Sequence, residues 1–140
     1  MSRGRATLIN WNTFSLMEDV MAGDELVRRY VELIGGGGST DEIVGLYAAD
    51  AVLEDPVGSE PRRGHAAIRE FYAVLEPLDR EAELVTSRII GTRAAFLFRL
   101  TTRAGGRTMD ISPIDVMEFD DAGKIVSMQA YWGPDDLILR

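Results

Sequence analysis

Residues 81–132 read EAELVTSRIIGTRAAFLFRLTTRAGGRTMDISPIDVMEFDDAGKIVSMQAYW. Turn signals break this stretch at Gly91, at Gly105-Gly106 and at Asp121-Ala122-Gly123. Between them apolar and polar residues tend to alternate, the period of a strand with one buried face. The spacing predicts four strands, at 81–90, 94–103, 107–119 and 124–132, joined by short hairpins into a meander. Ala94, Phe96, Phe98 and Leu100 form one candidate inner row, and Val126, Met128, Ala130 and Trp132 form another.

Upstream of this stretch the period changes to that of helices. Leu26, Tyr30, Leu33 and Ile34 share one helical face, with Ser15 (Glu18 three residues on) and Asp24 as candidate caps. Four glycines at 35–38 end that helix and act as a hinge within one domain. Ser39-Thr40-Asp41-Glu42 has the form of a capping box and opens a second helix to about Ala49, with Ile43, Leu46 and Tyr47 on its apolar side. Ala51, Leu53, Asp55 and Val57 then alternate as a short strand, a loop occupies 58–64, and a third helix spans 66–76 until Pro77 stops it. Helices first and hairpin-linked strands after imply an α+β fold, a curved antiparallel sheet around three helices with an apolar pocket on its concave side. The reading places one domain at 19–140, after a flexible N-terminal extension at 1–18.

With 140 residues, 46% hydrophobic and 27% charged, the chain has the size and composition of one globular domain. It contains no cysteine and one histidine, His65, so thiolate chemistry and Cys- or multi-His-based metal sites are excluded and no metal or other cofactor is expected. His65 follows Gly64 where a helix should begin, which suits a partly exposed helix-start residue better than a triad member. A net charge of −8 argues against a nucleic-acid or anionic-membrane partner. No apolar run is long enough to span a bilayer. Arg3 and Arg5 are followed by Asn10, Asn12 and Thr13, a poor signal peptide, so a cytoplasmic location is expected.

Three ionisable residues fall on apolar faces. Asp115 shares a row with Met109, Ile111, Pro113, Met117 and Phe119. Burying its charge unpaired costs on the order of 5 kcal/mol or more, so a pocket-facing Asp115 would be a neutral acid able to donate a hydrogen bond. A bulge at Pro113 would slip the register by one residue and turn Asp115 to the wet face with Glu118; the strand alone is compatible with both. Asp55 ends its row beside Pro56, where a turn carboxylate is the ordinary alternative. Tyr30 lies on the core face of the first helix, where a plain core tyrosine is the alternative. Taken together, they can perform one reaction. Asp55 would take a proton from a carbon next to a carbonyl, and Tyr30 and protonated Asp115 would donate to the oxygen as it gains charge.

The stretch AVLEDPVGSEPRRGHAAIREFYA at 51–73 resembles the bacterial Δ5-3-ketosteroid isomerases, which have a nuclear-transport-factor-2-like (SnoaL-like, cystatin-like) fold with a conical pocket. The likeness continues through VRRYVELI, AAFLF, SPIDVMEF and GKIVSMQAYWG and covers roughly 20–135. It implies that Asp55 is the general base, and that Tyr30 and Asp115 form the oxyanion hole. Tyr72 and Tyr47 would extend the hydrogen-bond network of Tyr30, and Phe71, Phe96, Phe98, Met128 and Trp132 would line the steroid site. Ketosteroid isomerases are themselves the known instance of a carboxylic acid held neutral by an apolar site. The resemblance favours the pocket-facing register of Asp115. It also implies a cofactor-independent isomerase of 3-oxo-Δ5-steroids that forms homodimers. A ligand-binding protein without catalysis and a polyketide cyclase-like enzyme are the alternatives on this fold.

Overall fold

The computed structural model describes residues 11–140; the part of the expected extension at residues 1–10 lies outside the described residues, and side chains are described from Met17 onward. The first helix, α1 (Trp11–Glu32), begins within the expected extension and runs through positions 15 and 24 without a boundary. It buries Val27, Tyr30 and Val31. A π-helical turn at Leu33–Gly37 follows, and Gly36 there has φ 96°, a conformation that costs glycine little.

The capping box forms as the sequence predicts. Ser39 Oγ accepts the Glu42 N–H at 3.2 Å, and the Glu42 carboxylate accepts the Ser39 N–H at 3.0 Å. Helix α2 (Thr40–Val44) is nevertheless shorter than expected, because Tyr47 already belongs to strand β1 (Tyr47–Glu54). Pairing of β1 with a distant strand overrides the helical spacing there. A two-residue strand β2 (Arg62–Arg63) leads into α3 (Gly64–Ala73), after which the chain continues in turns.

The remaining strands are β3 (Asp79–Ile90), β4 (Arg93–Ala104), β5 (Arg107–Ile111), β6 (Ile114–Phe119), β7 (Ile125–Tyr131) and β8 (Leu137–Leu139). Strand β8 and the short 3-10 turn before it carry no clear signal in the sequence. The sheet order is β2-β1-β7-β6-β4-β5-β8, with β3 on the other edge of β4. Every pairing is antiparallel except that of β1 with β7, which is parallel, so the expected antiparallel sheet is in fact mixed. Parallel neighbours need a long connection, and here α3 and five strands lie between the two.

The predicted strand at 107–119 is broken at Ser112-Pro113, since proline has no N–H to give to the ladder. The break does not slip the register. Leu100 faces Ile111 and Leu97 faces Ile114, so the same number of residues separates the two pairs on each strand. Asp115 therefore stays inward with Met117 and Phe119, while Ile114 and Glu118 are exposed. A bulge in the β6–β7 pairing places Ile125 rather than Val126 in the core.

Candidate active site

A cavity of about 620 Å³ opens over the inner face of the sheet, its wall drawn from the end of α1, from α3 and from β4, β5 and β8. Most of that wall is apolar, with Leu75, Phe98, Leu100 and Ile111 among its residues. Tyr30, Asp55, Tyr72 and Trp132 bring polar atoms to it. Phe71 and Phe98 line it as expected. Phe96 and Met128 do not: Phe96 packs edge-on against Tyr30 at 5.9 Å, and Met128 is fully buried between Leu53 and Met117 of the neighbouring strands. Their inward rows are right, but the helices and adjacent strands cover them before the cavity begins.

Asp55 lies just beyond the end of β1, and Trp132 lies just beyond the end of its parallel neighbour β7, where Glu54 faces Gln129. The two side chains meet, and Trp132 Nε1 donates to Asp55 Oδ1 at 2.7 Å. Burial pushes the Asp55 carboxyl up, while the Trp132 donor and then the Arg62 charge pull it partly back down. Arg62 is itself held over the Phe71 ring, 5.1 Å from its centroid. The sequence reading missed the role of the indole N–H. The available signal was a tryptophan at the end of an inner row, whose N–H must find an acceptor when half-buried.

Tyr72 links two other tyrosines. Its hydroxyl is 3.0 Å from that of Tyr30 and 2.6 Å from that of Tyr47. Burial pushes all three phenols well up, so they remain protonated donors. Either hydroxyl of each pair can donate, and a relay in which Tyr47 donates to Tyr72 and Tyr72 donates to Tyr30 satisfies both bonds. The Tyr30 proton is then free for another acceptor. Tyr47 is also tied down through its backbone, since its carbonyl accepts from His65 Nε2 at 2.8 Å.

Asp115 is 1% exposed and does not form part of the cavity wall. Among the described residues its two carboxyl oxygens are the only buried side-chain polar atoms without a hydrogen-bond partner. Burial first, and then the Asp55 charge, hold it well above the usual carboxylate range. The Tyr30 hydroxyl opposes that rise from nearby but completes no hydrogen bond to it. The rise favours the neutral acid, and that acid is one partner short. Among the described residues no group of three or more His, Cys, Asp or Glu is placed to hold a metal.

An open, curved α+β sheet that holds an apolar cavity against three helices is the architecture of the nuclear-transport-factor-2-like proteins. The pattern of the SnoaL-like domain matches residues 27–128, and the chain belongs to that family. It is 48% identical over 113 residues to the steroid Delta-isomerase of Nocardioides simplex, covering 81% of this chain and 91% of that one. Among solved structures it is similar to the epoxide hydrolase/cyclase-like enzyme SalBIII, described in pyran ring formation in polyether salinomycin. There the TM-score is 0.80 at 26% identity, over 87% of this chain and 98% of that one. No helix among the described residues is long and apolar enough to cross a membrane.

Proposed function

We propose that the protein is a steroid Δ-isomerase, which converts 3-oxo-Δ5-steroids into conjugated 3-oxo-Δ4-steroids without a cofactor. Ionised Asp55 removes a proton from C4, the electrons of that C–H bond form a C3–C4 double bond and the carbonyl π pair moves to the C3 oxygen, giving a dienolate conjugated with the C5–C6 double bond. Protonated Asp55 then returns the same proton to C6, and the C3 carbonyl re-forms. One base serves both steps because both carbons lie on one face of the steroid. The Tyr30 hydroxyl donates to the C3 oxygen, and protonated Asp115, buried behind the wall beside Tyr30, does the same once the ketone passes between the wall residues, gaining the partner it lacks. The Tyr47–Tyr72 relay leaves the Tyr30 proton available for this contact.

The observation that carries this reading is a buried, unpartnered carboxyl beside a tyrosine hydroxyl, close to a second carboxyl that accepts an indole N–H. A pocket that only binds apolar ligands has no use for two such acids. Identity of 48% to a steroid Delta-isomerase, against 26% to the cyclase-like enzyme, favours the isomerase over a cyclase. The same family likeness supports a homodimer, to be checked by sedimentation, and a cytoplasmic location, to be checked by fractionation.

The test is the ultraviolet absorbance of the conjugated enone after purified protein is mixed with androst-5-ene-3,17-dione. Asp55→Asn should lower turnover by at least the factor of roughly 10² to 10⁴ that a positioned base supplies, with steroid binding largely retained. Near-normal turnover in that variant would remove Asp55 from the base role. Bound steroid with no absorbance rise in the unaltered protein would replace the isomerase with a binding function.

A further inference from the structure

The polar atoms on the cavity wall are unevenly spread. Tyr30, Asp55, Tyr72 and Trp132 form the reacting end, Arg62 is close enough for its charge to act on Asp55, and Glu70 is exposed on α3. The one remaining polar side chain is Thr102, which lies among apolar residues and is 6% exposed. No hydrogen bond to another described residue engages its hydroxyl, and that oxygen is absent from the buried unpartnered atoms. The hydroxyl is therefore not sealed off, and Thr102 is part of the cavity wall.

Strand β4 sets the spacing between Thr102 and the rings that pack on Tyr30. Phe96 faces Asp115 across the ladder, and Phe96 and Phe98 both pack on the Tyr30 ring. Thr102 lies on the same face, four residues beyond Phe98, which at a strand rise of about 3.3 Å per residue is roughly 13 Å. It pairs with Met109, itself part of the wall, and the residue between, Leu100, is apolar. A rigid four-ring skeleton with its C3 oxygen at Tyr30 brings its ring D toward this hydroxyl.

We infer that Thr102 is a specificity-determining residue that hydrogen-bonds an oxygen on ring D, so that the preferred substrates are steroids oxygenated at both ends. This rests on the steroid reading above. A hydroxyl can donate to a ketone or accept from an alcohol, so either oxidation state at that position is served. An apolar wall without Thr102 would bind the fused rings equally well but would not discriminate by that oxygen.

Calorimetry with androst-4-ene-3,17-dione and androst-4-en-3-one tests the assignment without depending on turnover. The unaltered protein and Thr102→Ser should bind the dione about ten-fold more tightly than the mono-ketone, the worth of one hydrogen bond in a dry site. Thr102→Val, nearly the same shape, should lose that preference while binding the mono-ketone as before. With the corresponding Δ5 substrates Thr102→Val should raise KM for the dione and leave kcat in place. Equal discrimination by the unaltered and Val forms, or none in the unaltered protein, would overturn the role of Thr102 and leave the isomerase reading standing. Failure of the unaltered protein to bind either steroid would remove both.

Discussion

A carboxylate that takes a proton from carbon is as strong a base as its surroundings permit, and Asp55 is pulled in two directions. Burial raises its pKa and strengthens it as a base, while the Trp132 N–H at 2.7 Å lowers the pKa and keeps more of it ionised. Trp132→Phe removes the donor and keeps a ring in place. The Asp55 pKa should rise, so the acid limb of the kcat/KM profile should move to higher pH; a limb that stays put would mean the indole does not tune the base. The two acids differed in how much of this the sequence held. The apolar neighbours of Asp115 left two registers open, the resemblance favoured the inward one, and Pro113 does not slip the register. The Asp55–Trp132 bond spans 77 positions and depends on a parallel pairing that no local pattern announces.

Two glycine- and cap-dependent joints hold the helices over the cavity. A Cβ on Gly35 would come within 2.7 Å of the Ala82 backbone nitrogen, so the π-helical turn that follows α1 rests directly on β3. Arg80 of β3 secures the same region by donating to the carbonyls of Ile34, at 2.8 Å, and of Leu75. In an open helix Gly→Ala gains about 1 kcal/mol. Here Gly35→Ala should instead lower the urea midpoint, and turnover with it, because Tyr30 is carried by the helix that is pushed away. Ser39→Ala offers the contrast. Loss of the α2 cap should cost about 1 kcal/mol in urea unfolding while turnover holds, since α2 carries none of the site residues. The capping box was legible residue by residue. The end of α2 was not, because Tyr47 leaves its helical pattern to pair with Ile125, a partner the local sequence does not reveal.

Over the whole molecule the neutral acid makes folding depend on pH. The Asp115 pKa is raised in the folded protein, so its proton is held there at a pH where the unfolded chain has already released it. Its contribution to stability is complete below the ordinary carboxylate range and is lost as pH rises from that range to the raised folded value, at about 1.4 kcal/mol per pH unit of the window. Asp55, also raised, acts in the same sense, whereas Glu42, Glu54 and Asp110 are lowered and act in the opposite one. Asp115→Asn should therefore flatten the decline in urea stability across that window, and an unchanged difference between the two proteins at all pH values would show that Asp115 ionises normally. The parallel pairing of β1 with β7 has a further consequence, in the order of synthesis. Tyr30, Tyr47, Asp55 and Tyr72 all leave the ribosome before the strand that seats β1 and the indole that steadies the base, at 125–132. A nascent chain arrested before them has its reacting carboxyl and no place to hold it, so activity would arrive only once residues 125–132 have emerged rather than by degrees.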